Sequence, residues 1–112
     1  MLKIHEEMLE GFKRLDATVL VYGSVAKGRS RIDSDIDVAV ITENPEVKEE
    51  AERLADEVLL EHGRVVSIVY FSPERFKKMV DRPFIRDVLS GEVLHDRGDF
   101  IKGVSRGRAS IS

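Results

Sequence analysis

The chain has 112 residues, 42% hydrophobic and 35% charged, with a net charge of −3 and no cysteine. That length suits one domain with its own core, and the missing thiols exclude a disulfide framework and thiolate chemistry. The acidic balance argues against a general nucleic-acid binder, which would be basic, and no apolar run reaches the roughly 20 residues needed to span a bilayer. The N-terminus, with Lys3, His5, Glu6, Glu7 and Glu10, lacks the basic-then-apolar order of a signal peptide, so a cytoplasmic location is expected.

Residues 2 to about 15 read as an amphipathic helix, with Leu2, His5, Met8, Leu9, Phe12 and Leu15 near one stripe and Gly11 as its weak point. Residues 17–22 are a β-branched and apolar run ending in glycine, the signal of a buried strand. Ser24 to Lys27 begin a short helix that Gly28 stops, and 29–34 form a loop. Residues 35–42 are a second strand. Alternation puts Asp35, Asp37, Ala39 and Ile41 on one face and Ile36, Val38 and Val40 on the other. Beyond Asp37 both faces are apolar, as in a strand inside a sheet.

Asn44 is placed to cap a helix that starts at Pro45 and runs to about His62, where Gly63 ends it. Its stripe is Val47, Ala51, Leu54, Ala55, Val58 and Leu59. A helix of this length between two strands is the βαβ pattern. Residues 65–71 are the third strand. Ser72 and Pro73 start a helix to about Val80, Pro83 starts another to about Leu89, and residues 92–95 are a short edge strand. Phe76, Phe84 and Tyr70 read as core. His95 with Asp96 is a thin metal-binding signal at a strand end. From Gly98 the glycines, serines and basic residues read as a flexible tail over 98–112, able at most to make non-specific phosphate contacts, so the domain is drawn at 1–97. The expected fold is α/β (α+β): a small mixed sheet of three to four strands with helices packed on one face. The other face stays open near Asp35 and Asp37.

Two features carry chemistry. Gly23-Ser24 ends the first strand, and Asp35-Ile36-Asp37 opens the second. Glycine lets a backbone approach a phosphate closely, N–H groups at a helix start point at anions, and the Ser24 hydroxyl can donate to a phosphate oxygen. Lys27, Arg29 and Arg31 add positive charge in the same loop. Two carboxylates at i and i+2 on a strand project the same way and can hold a divalent cation together with substrate phosphates. Phosphoryl and nucleotidyl transfer need chiefly such positioning and neutralisation. Either feature alone suits an ordinary turn or a solvated acidic loop; both in order between buried runs form a specific constellation.

Gly23-Ser24-x-Ala26-x-Gly28 followed by Ser34-Asp35-Ile36-Asp37 resembles the signature of the minimal nucleotidyltransferases, a prokaryotic branch of the DNA polymerase β superfamily. The motif spans about 15 residues, and the element order over 1–95 is compatible with the minimal domain. The resemblance implies that Gly23 and Ser24, with Lys27, Arg31 and Ser34 beside them, bind the triphosphate, and that Asp35 and Asp37 are the catalytic metal ligands, usually for magnesium (Mg2+). It implies transfer of a nucleoside monophosphate from a nucleoside triphosphate, with ATP the expected donor, to an acceptor hydroxyl. It also implies a partner, a small helical HEPN protein, within a toxin–antitoxin pair. One position departs from the pattern. Active members usually carry a third carboxylate on the neighbouring strand, where this chain has Ser67, a neutral group and a poor magnesium ligand; Glu43, Glu74 or a partner's residue would have to compensate. An alternative expectation is therefore a nucleotide-binding antitoxin of the same fold with impaired catalysis. A structural subunit with an unused pocket is a third.

Overall fold

A computed structural model describes residues 2–28 and 35–104. Four strands, β1 (Thr18–Tyr22), β2 (Ile36–Ile41), β3 (Val66–Phe71) and β4 (Glu92–His95), form one sheet in the order β3-β2-β1-β4. β1 runs antiparallel to both β2 and β4, while β2 and β3 are parallel. The mixed α+β fold is the one expected. β1 is buried at every position, and Asp37 is the one position of β2 that is not. Their nearly uninterrupted apolar sequences suit strands covered on both faces.

The parallel β2–β3 pair requires a crossover, supplied by α3 (Pro45–His62). Its ends are those read from the chain. The Asn44 side chain accepts from the Glu46 N–H at 2.9 Å, Pro45 occupies the first turn, and Gly63 adopts a left-handed φ of 65° that satisfies the helix end.

The N-terminal segment departs from the expected single helix. α1 (Lys3–Met8) ends at Leu9, and the chain continues as a 3₁₀ turn over Glu10–Arg14. Gly11 has a packing role there, because a Cβ on it would stand 2.5 Å from Leu54 Cδ2 of α3. Leu9, Phe12 and Leu15 of this segment join Val19, Val21, Ile36, Val38, Val40 and Val47, Ala51, Ala55 and Val58 of α3 in one core layer, with Leu54 packed against it. Leu59, read into the α3 stripe, is exposed because it lies past the edge of the face that meets the sheet.

Helices also cover the other face, which corrects the expectation of a one-sided arrangement. α4 (Pro73–Lys78), α5 (Pro83–Leu89) and a last helical segment over residues 100–104 place Phe76, Ile85, Val88 and Val104 against Leu20, Tyr22, Ala39, Ile41 and Phe71. The physical reason lies in the central strands, whose second face is as apolar as the first and needs equal cover. Phe100 and Ile101 pack on this layer, and the Ile101 N–H donates to Asp96 Oδ1. The folded body thus runs on to Val104, past the boundary drawn at residue 97, because these apolar side chains complete the second core; residues 105–112 lie outside the described residues. Gly91 brings α5 against the sheet. A Cβ there would lie 2.0 Å from the Val21 carbonyl oxygen.

Candidate active site

At the end of β1, the chain turns on Gly23 (φ 72°) into the single helical turn α2 (Gly23–Ala26), which Gly28 (φ 68°) terminates. Residues with side chains rarely adopt either angle. Gly23 has a second requirement. A Cβ on it would stand 2.9 Å from Asp37 Oδ2, so the carboxylate occupies the space beside the bare glycine. Val25 anchors the turn in the core, while Ser24 is exposed beside it.

The ladder register brings the acids to this turn. Tyr22 pairs with Asp37 across β1–β2, and Asp37 pairs with Ser67 across β2–β3. Asp35, exposed, precedes the strand by one residue, and its carboxylate acts on Asp37. Burial first, then the Asp35 carboxylate and then Asp87 hold the Asp37 carboxyl above its ordinary range. The same surroundings raise the Tyr22 phenol, through burial and then through Asp37 and Asp87. Two close carboxylates, one of them sterically matched to a glycine, form a donor set that favours a cation.

Gly23, Ser24, Asp35 and Asp37 therefore lie at one end of the central strands, and Lys27 stands at the rim, its Nζ 3.9 Å from Asp87 Oδ1 of α5. Arg29, Arg31 and Ser34, also named from the sequence, lie outside the described residues. Ser67 stands beside Asp37, where the neighbouring strand presents its residue. Glu43 and Glu74 follow the opposite ends of β2 and β3, about 20 Å along six-residue strands, too far to complete a metal site at Asp37. Among the described residues no three His, Cys, Asp or Glu side chains converge to hold a metal ion. Asp35 and Asp37 fit a magnesium ion that takes its other ligands from phosphates and water.

Asp87 is the neighbour that sequence reasoning passed over. No motif marks it, since it sits on the exposed flank of a short helix more than 45 residues downstream, and only the packing of α5 brings it to the turn. The His95–Asp96 suggestion has a different outcome. Asp96 Oδ1 accepts from Thr18 Oγ1 and from the Ile101 N–H, which ties β1 to the 100–104 segment.

A mixed sheet with a glycine-serine turn facing two carboxylates at the start of β2 suits a nucleotidyltransferase-type domain. Residues 2–93 match the family model described as "Nucleotidyltransferase domain", and the chain belongs to that family. A solved structure described as "Crystal structure of the toxin-antitoxin with AMP-PNP" is similar over 98% of this chain and 86% of that one, with a TM-score of 0.59 and 16% identity, a likeness of fold. No curated protein matches the chain.

Proposed function

We propose that this protein is a metal-dependent nucleotidyltransferase that moves a nucleoside monophosphate from a nucleoside triphosphate, ATP in the first instance, to an acceptor hydroxyl. The observation that carries the reading is how near the Asp37 carboxylate lies to the turn: a Cβ on Gly23 would stand 2.9 Å from Asp37 Oδ2, which supports reading the phosphate turn and the acids as one site. In this reading Gly23 and Ser24 hold the triphosphate, Lys27 and Arg31 offset its charge, the Ser34 hydroxyl adds a hydrogen bond to it, and Asp35 and Asp37 hold magnesium. The bound ion would neutralise charge on the reacting phosphates. The acceptor oxygen attacks the α-phosphorus, the bond to the β-phosphate oxygen breaks, and pyrophosphate and the hydroxyl proton leave. Family membership supports transferase chemistry, and AMP-PNP in the similar structure supports a triphosphate ligand.

A second reading rests on Ser67. Its place opposite Asp37, where a carboxylate would complete the metal site, favours an antitoxin that binds nucleotide and partner without efficient transfer. The toxin–antitoxin neighbour fits either reading, with a HEPN protein as the partner we propose for both. Incubation with labelled ATP, magnesium and a HEPN protein encoded beside this chain separates them. Label on the partner, lost with Asp35→Asn or Asp37→Asn, is the expected result. Tight association without label, unchanged by those substitutions, would leave the binding reading.

A further inference from the structure

The described site has groups for phosphates and a cation, and nothing so far for a base. The chain has five phenylalanines and two tyrosines, all among the described residues. Four of these rings are buried and two half-buried, while Phe84 is 45% exposed, contrary to its reading as a core residue. An isolated exposed ring is ordinary, but this one is held in place. It stands edge-on to Tyr22, with centroids 5.7 Å apart and planes at 86°, and tilted against Phe71 at 6.3 Å. It also follows Pro83, which fixes the backbone at the first turn of α5.

Its location gives the ring a use. Tyr22 is the ladder partner of Asp37, and paired residues project from the same face of a sheet with Cα atoms about 5 Å apart. Asp87, three residues after Phe84, faces the turn through Lys27, and residues three apart share a helix flank. The flank of α5 that carries Phe84 therefore borders the site. Ladder spacing and ring contact together put the Phe84 ring roughly 10 Å from the Asp37 carboxylate. That is about the reach from a bound phosphate, across a ribose, to a base.

We propose that Phe84 is the stacking platform for the nucleobase, so that the site takes a nucleoside triphosphate by its base as well as by its phosphates. This rests on the nucleotide reading given above and adds to it the group that distinguishes a nucleotide from a bare polyphosphate. Because every base has a π face, the platform tolerates purines and pyrimidines, and larger purine faces gain more.

The test is equilibrium binding of ATP and of inorganic tripolyphosphate, each with magnesium, to the full chain and to Phe84→Ala and Phe84→Tyr, with thermal unfolding to verify folding. Phe84→Ala should lower ATP affinity about tenfold or more and change tripolyphosphate affinity less than about twofold. Phe84→Tyr, which keeps the ring, should bind ATP as the parent does. Unchanged ATP affinity in Phe84→Ala overturns the proposal and leaves the nucleotide reading standing. Equal loss of both ligands also overturns it, since the ring would then act only by supporting Tyr22. If the unsubstituted chain binds neither ligand, the nucleotide reading itself falls, and the platform with it.

Discussion

Asp37 is where the demands of folding and of chemistry conflict. It interrupts an otherwise buried strand, and its carboxylate is partly desolvated, faces Asp35 and Asp87, and lies against Gly23. An acid whose folded-state affinity for protons is raised opposes folding once it ionises: the native state holds the proton longer than the unfolded chain, so stability falls as pH rises from the ordinary carboxylate range through the raised value. Asp37→Asn keeps the shape and removes the charge. It should raise Tm by a few degrees, on the order of 1 kcal/mol or less after solvent screening, while abolishing magnesium-dependent ATP binding. Thermal unfolding and calorimetric titration of the same variant check both halves. A lower Tm would mean that the carboxylate contributes more to the turn by hydrogen bonding than it costs by burial and repulsion.

Among the elements, the helical segment at residues 100–104 changes the account most. Composition from Gly98 onward is rich in glycine, serine and basic residues, which reads as tail, yet Phe100, Ile101 and Val104 recur at helical spacing and close the second core over Phe76. Asp96 accepts from the Ile101 N–H and starts the segment. A chain ended at Arg97 should lose roughly 3–5 kcal/mol, the transfer energy of one buried valine and two partly buried large side chains with some relaxation. The urea midpoint of the shortened chain against the full one measures this, and equal midpoints would show that the segment packs without stabilising. The edge strands contrast in the same way. β4 is short and carries Glu92 and His95, whereas β3 has six residues without a charge or proline.

At the scale of the whole molecule, the N-terminal helix is tied to the start of β3 through a buried polar contact. His5 Nε2 lies 3.0 Å from Arg64 NH1, and both residues are buried. A guanidinium only donates, so this ring nitrogen accepts and His5 is neutral, with its proton on Nδ1. Burial, and then the Arg64 charge, lower the His5 pKa. The sign follows directly. The unfolded chain takes up the proton near 6.5 while the folded chain resists it, so the contribution is complete above that pH and is lost as pH falls below it. Denaturant unfolding at pH 7.5 and pH 5 should show a loss on acidification that shrinks by roughly 1 kcal/mol in His5→Gln, whose amide oxygen can still accept from Arg64. An identical loss in both proteins would place the acid sensitivity elsewhere.

Much of the fold was legible because its signals are local. Short, nearly continuous apolar runs mark β1, β2 and β3, Asn44-Pro45 and Gly63 mark the ends of α3, and Gly23-Ser24 with Asp35-Ile36-Asp37 marks the candidate site, since turns and strands of this kind are signalled by neighbouring residues. What sequence could not decide depends on contacts between distant residues. The break at Leu9 accompanies the packing of Gly11 on Leu54, and helices lie on both faces because the sheet interior needs cover on both. The place of Asp87, the exposure of Phe84 and the folding of residues 100–104 depend on how α4 and α5 settle on the second face. Local sequence determined the strands, the α3 ends and the motif whose residues are proposed to meet the phosphates and metal; tertiary packing decided what surrounds that motif, because burial and electrostatic coupling depend on distance in space.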